Sequence, residues 1–183
     1  LRWYMISNAP PWDNLKFDLE GIAEVQRKFF GTLYNTYSFF ALYAGVDGFV
    51  FNPNAQIPLE QRSELDRWVL SKLHSLMQQV EAAMDDYDPT RATRAIEDFV
   101  TEQLSNWYVR LSRRRFWKGE MNADKQAAYE TLFECLLRVS QMVSPVAPFF
   151  SEWLYQSLMG PQRKEQEGAD SVHLSDFPKA QTA

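Results

Sequence analysis

The chain has 183 residues, the size of one domain, and is 45% hydrophobic with 6 Trp, 8 Tyr and 13 Phe, which excludes disorder. Only 7 Gly and 9 Pro are present, gathered at a few junctions, so the frequent tight turns of an all-β sandwich or barrel are disfavoured, and a single cysteine excludes a disulfide framework or a cysteine-based zinc cage. The formal net charge of −5 argues against the whole surface meeting a polyanion, so a nucleic-acid site must be local.

The first segment, Leu1 to Asn8, is apolar and aromatic and suits the end of a helix or a strand. It opens without an initiator Met, from which an excised fragment is expected, and it lacks the charged, apolar and small-residue order of a signal peptide. Pro10-Pro11 stops it, and Asp13-Asn14 continues the loop. From Asp18 to about Ala44, Ile22, Val25, Phe29, Leu33, Tyr37 and Phe40 recur at steps of three and four, which predicts a helix ended by Gly45 and Gly48. A second helix is predicted from about Leu59 to Asp86, with Leu65, Val69, Leu73, Leu76, Val80, Ala83 and Tyr87 as a near-heptad seam.

Asp88-Pro89 signals the start of a third helix, since Asp accepts from exposed amides and Pro suits the first helical position. It runs to Lys118, with Gly119 as its stop. Asn122 is expected to cap a fourth helix carrying Tyr129, Leu132, Leu136, Val139 and Val143, which ends at Ser144-Pro145. A fifth starts near Pro148 and ends at Gly160-Pro161, and a tail from Gln162 to Ala183 is polar apart from Val172, Leu174 and Phe177. Cys135, inside an apolar run, reads as a small core residue and fits a reducing cytosol. No apolar stretch reaches the roughly 18 residues of a membrane span, and no membrane partner is expected. The predicted architecture is all-α: an antiparallel helical bundle of about five helices.

The informative segment is Asn106-Trp107-Tyr108-Val109-Arg110-Leu111-Ser112-Arg113-Arg114-Arg115-Phe116-Trp117-Lys118, five basic residues and no acid in an acidic chain. Projected at 100° per residue, Val100, Leu104, Trp107, Tyr108 and Leu111 form an apolar stripe. Asn106, Arg110, Arg113 and Trp117 fall on a different arc, with Arg114 beside them. Guanidinium forks take phosphate oxygens, and aromatic planes stack on unpaired bases, so this arc suits RNA. The same cluster also fits a solvated face partly paired with neighbouring acids, with Phe116 and Trp117 packed on adjacent helices. Other constellations are weaker. Asp85-Asp86-Tyr87-Asp88 lacks the Gly and terminal Glu of a calcium loop and reads as a capped turn. His74 and His173 are isolated in the sequence with no Cys or second His at ligand spacing, no nucleophile–base set stands out, and there is no phosphate-cradling glycine loop.

Several segments, in order, resemble class I aminoacyl-tRNA synthetases of the isoleucine, valine, leucine and methionine group. Leu1-Arg2-Trp3-Tyr4-Met5 resembles the stretch just after that family's lysine-rich ATP-site loop, and Pro11-Trp12-Asp13-Asn14-Leu15-Lys16-Phe17 the loop that follows. Leu65-Asp66-Arg67-Trp68-Val69-Leu70-Ser71-Lys72-Leu73 is similar to the second helix of the anticodon-binding bundle, and Ser144-Pro145-Val146-Ala147-Pro148-Phe149 to its late proline-punctuated turn. Asn106-Trp107-Tyr108-Val109-Arg110 with Arg113-Arg114-Arg115-Phe116-Trp117 closely resembles the isoleucyl branch, as does Ser171-Val172-His173-Leu174-Ser175-Asp176-Phe177-Pro178.

The resemblance implies a class I synthetase anticodon-binding bundle over residues 18–160. Residues 1–17 are then the connector from a missing catalytic domain, and 161–183 a tail toward a missing C-terminal region. The expected partner is the anticodon stem-loop of isoleucine tRNA, alongside the catalytic domain of the same longer chain, in a cytoplasmic monomer. ATP and magnesium are expected for the full enzyme and no cofactor for this fragment, since the family's ATP motifs and editing segments are absent from it. The fragment alone is not expected to aminoacylate. Arg110, Arg113 and Arg114 are expected to take phosphates, Asn106 and Trp117 to meet bases or sugars, and Lys118 to add charge. The place of Trp107 on the apolar stripe favours core packing, and Arg67 and Trp68, although similar to the family helix, are explained as well by an internal ion pair and packing and are left out of the site. The alternatives are the equivalent valyl domain, or a helical protein-interaction module with a basic face.

Overall fold

Polar side chains at the loop ends mark where four of the helices begin. In the computed structural model, which describes residues 1–160 and 169–180, α1 spans Arg2–Asn8. The next helix, α2, is continuous through Leu19–Val25, a wide-turned segment Gln26–Phe30, and Gly31–Asp47. Asp18 starts it by accepting from the Glu20 amide at 3.0 Å. α3 spans Glu64–Asp85, beginning at a capping box: Ser63 Oγ accepts from the Asp66 amide at 3.2 Å, and the Asp66 carboxylate accepts from the Ser63 amide at 3.3 Å. This box moves the helix start from the expected Leu59 to Glu64, leaving Leu59–Gln61 as a separate 3-10 turn.

α4 comprises Pro89–Asp98, a second wide-turned segment Phe99–Val109, and Arg110–Trp117. Asp88 caps it, accepting from the Arg91 amide at 3.0 Å. α5 spans Ala123–Val143, capped by Asn122 Oδ1 accepting from the Lys125 amide at 2.9 Å, and α6 spans Pro148–Met159. There are thus six helices among the described residues rather than about five, because Leu1–Asn8, open between helix and strand in the sequence, is helical. The all-α expectation holds. Residues 161–168 and 181–183 of the expected tail lie outside the described residues, as does the Pro161 stop.

Two junctions differ from the sequence expectation. Gly45 does not end α2; the helix continues to Asp47, and Gly48 ends it in the left-handed region at φ 65°. A Cβ there meets no neighbour but forces that strained conformation. Gly48→Ala is therefore expected to cost about 1 kcal/mol, seen as a melting temperature a few degrees lower. Tyr87, expected as the last seam residue of α3, lies beyond the helix end at φ 56° and is 86% exposed.

α5 is buried nearly all round, the signature of a central helix. Tyr129 and Phe133 carry its packing: Tyr129 stacks on Phe49 at 4.9 Å and meets Phe116 of α4 edge-on at 5.0 Å, while Phe133 stacks on Phe51 at 4.4 Å. Cys135 is fully buried here, and burial pushes its thiol up, the core role expected of it. Ion pairs tie the loop before α3 and the end of α2 to α5. Arg62 pairs with Glu130 at 3.1 Å and donates to Thr131 Oγ1 at 3.0 Å, and Lys125 pairs with Asp47 at 2.6 Å. α1 docks on the first half of α4 through Trp3 Nε1 donating to Glu97 at 2.6 Å and Arg94 donating to the carbonyls of Ser7 and Asn8. No helix of the described residues is long and apolar enough to cross a membrane.

Candidate nucleic-acid interface

The second half of α4 owes its orientation to one buried carboxylate. Asp66, in the first turn of α3, is fully buried, yet Arg115 grips both its oxygens, at 2.8 and 2.7 Å. Tyr108 donates to the same carboxylate at 2.7 Å and Ser63 Oγ at 2.8 Å. Arg115 continues to Asp124 of α5, donating to its carboxylate at 2.9 Å and to its carbonyl at 2.8 Å. Burial alone pushes the Asp66 carboxyl up, but the Arg115 and Tyr108 hydrogen bonds and the guanidinium charge outweigh it and hold the group below the usual carboxylate range. Burial of the Tyr108 phenol and the charge of Asp66 push that hydroxyl well up, so it remains a donor. Three helices are thereby locked at one point, and Arg115 is spent inside the fold.

The wide turns of Phe99–Val109 set the faces. The Arg110 amide donates to the Ser105 carbonyl five residues back, and such a turn takes in one residue more than an α-turn. Side chains beyond it therefore lag a 100° projection, and a strict four-residue repeat stays on one face. The buried row is Val100, Leu104, Tyr108, Ser112 and Phe116. Trp107 and Leu111, expected on the apolar stripe, are 54% and 50% exposed instead. Core packing of Trp107 is thus corrected, and the cause is the helix register.

Every residue singled out for RNA is on the surface: Asn106, Arg110, Arg113, Arg114, Trp117 and Lys118 are all exposed. With Trp107 and Leu111 they make up an exposed row of side chains along α4. Among the described residues, Arg110, Arg113, Arg114 and Lys118 make no ion pair. Asn106 Nδ2 donates to Glu102 at 3.4 Å, one turn back. Like charges at three- and four-residue spacing repel one another, and an external anion relieves that repulsion.

Below the row, Arg114 and Lys118 line a shallow cleft of about 300 Å³ with Arg115, Asn122, Asp124 and Lys125. Of Arg67 and Trp68 in α3, Trp68 packs against the core, 6.4 Å from Trp107 between ring centroids. Arg67 is exposed and makes no ion pair among the described residues, so that part of the expectation is not met. No group of three His, Cys, Asp or Glu side chains among the described residues is placed to hold a metal ion.

Residues 66–183 match the family described as the anticodon-binding domain of tRNA ligase. Over 182 residues the chain is 62% identical to isoleucine–tRNA ligase of Cytophaga hutchinsonii, covering 100% of the chain and 16% of that protein. It is 57% identical over 179 residues to the isoleucine–tRNA ligase of Porphyromonas gingivalis, covering 98% of the chain and 15% of that protein. The Thermus thermophilus isoleucine–tRNA ligase is 46% identical over 185 residues, with coverage of 100% and 17%. The chain therefore spans only 15–17% of the length of these relatives.

Proposed function

The chain belongs to the family of anticodon-binding domains of tRNA ligases, and from that membership we propose that it holds the anticodon arm of isoleucine tRNA on the exposed face of α4. The carrying observation is the division of labour among the five basic residues. Arg115 is held by Asp66 and Asp124, whereas Arg110, Arg113, Arg114 and Lys118 are exposed and make no ion pair among the described residues. In this reading the three arginines and Lys118 take phosphates, and Asn106 and Trp117 meet bases or sugars.

The isoleucine assignment rests on the names of the relatives at 46–62% identity. The longer protein is then an isoleucine–tRNA ligase whose catalytic part uses ATP and magnesium, and the fragment positions tRNA without aminoacylating alone. Residues 18–160 act as the binding bundle, 1–17 lead from the catalytic part and 161–183 lead onward. The lone buried Cys135 supports a cytoplasmic setting.

The test is the affinity of this chain for an isoleucine-tRNA anticodon stem-loop, against a valine one, at two salt concentrations. Tighter, salt-sensitive binding to the isoleucine loop is the expected result. Equal binding to both would remove the isoleucine assignment from this domain, and no binding at low salt would overturn RNA recognition by it.

A further inference from the structure

Tryptophan is among the most heavily buried side chains on average, because its large indole gains most from leaving water. Trp107 is 54% exposed, one helical turn before Arg110 and two before Arg114, which make no ion pair among the described residues. It does not stand alone. Trp68 of α3 lies behind it, ring centroids 6.4 Å apart and tilted by 53°, and Trp68 is itself packed against the core. Trp107 thus has a core-packed indole as its neighbour while more than half of its own surface is open to solvent.

The surroundings define what could cover that ring. Arg110 and Leu111 lie one helical turn further on, and Arg114 one turn beyond those, all exposed. From Gln103 to Gly119 the sequence contains no acid. An apolar plane set among unpaired cations fits a group with a flat π-face and an attached negative charge. An unpaired nucleotide is that group: its base stacks on the ring while the flanking phosphates meet the guanidinium groups.

We propose that Trp107, supported by Trp68, is a stacking platform for an unpaired base of the bound RNA loop. This rests on the reading of α4 as the anticodon-arm face and adds a contact to it. The base is gripped by its face, so the platform contributes affinity for unpaired loops over duplex and leaves the choice of base to other side chains. Trp107 neutralises no phosphate, so the salt dependence of binding does not depend on it.

The experiment compares the chain with its Trp107→Ala and Trp107→Phe variants. The probes are an anticodon stem-loop with 2-aminopurine placed at each loop position in turn, and a blunt duplex of the same stem. For the unmodified chain, binding is expected to quench the fluorescence at one loop position. Trp107→Ala is expected to lose that quench and roughly tenfold in loop affinity, with the salt slope and duplex affinity unchanged, while Trp107→Phe keeps most of both. The platform is overturned if Trp107→Ala binds and quenches normally, or weakens loop and duplex alike. In either case Arg113→Ala, still reducing affinity, leaves the anticodon reading standing. If the unmodified chain binds neither RNA, both readings fall together.

Discussion

Replacing Asp66 by Asn is expected to destabilise the chain by about 3 kcal/mol, the lower end of what breaking a buried ion pair costs. The carboxylate is fully buried and accepts from Arg115, Tyr108 and Ser63. Removing its charge leaves Arg115, mostly buried, with only the more exposed Asp124 to balance it. For a chain of this length the melting temperature should fall by roughly 10 °C. Replacing both partners, Asp66→Asn with Arg115→Met, should recover part of the loss, because no uncompensated charge is then left inside. The pH dependence gives an independent reading. Asp66 titrates lower when folded than when unfolded, so its stabilisation is complete above the unfolded carboxylate value near 4. It is lost as pH falls through the lower folded value. The gap in melting temperature between the unaltered chain and Asp66→Asn should be widest above about pH 4 and shrink below it. A gap that stays constant down to about pH 2 would show that the carboxylate is not held as the geometry indicates.

The second large effect is on binding. Exchanging Arg110, Arg113 and Arg114 together for Ala should leave the fold almost unchanged, since all three are exposed and make no ion pair among the described residues. Affinity for the anticodon stem-loop should fall by roughly a hundredfold or more at low salt. The slope of log affinity against log salt should flatten by roughly two to three units, at roughly 0.7 to 0.9 for each phosphate no longer neutralised. Arg115→Ala is the matched contrast. It removes one charge of the same kind from the same stretch of sequence, yet its first effect should be on the melting temperature, because its partners are groups of the protein itself. Titrations of both variants at several salt concentrations, alongside thermal melts, separate the two roles. A triple variant with an unaltered slope would return those arginines to an ordinary solvated face.

Much of the helical frame is legible in the sequence because it depends on neighbours in the chain. Asp88 and Asn122 each mark a helix start by accepting from an amide three residues on, and the proline that opens each of α4 and α6 suits a first turn. Leu59 misleads because helical propensity alone does not locate a boundary; the reciprocal Ser63–Asp66 bonds do. Gly45 misleads because a glycine within a helix costs little where no turn is required, and the left-handed residue is Gly48.

The basic segment shows the same division at the site. Its position and composition are set by local sequence, and the six residues singled out all reach solvent. Which arginine faces inward is not. Arg115 is chemically the same as Arg113 and Arg114, and only the distant carboxylates of Asp66 and Asp124 distinguish it. A regular helix of about 3.6 residues per turn would put Trp107 in the core. The wide turns of Phe99–Val109 let a four-residue repeat hold Ser112 and Phe116 inside and turn Trp107 and Leu111 out. Periodicity, caps and charge pattern act over a few residues, so the sequence alone determined helices, class and the basic face. Burying Asp66 against two other helices acts over dozens of residues, so only the tertiary structure decided which side chains that face presents.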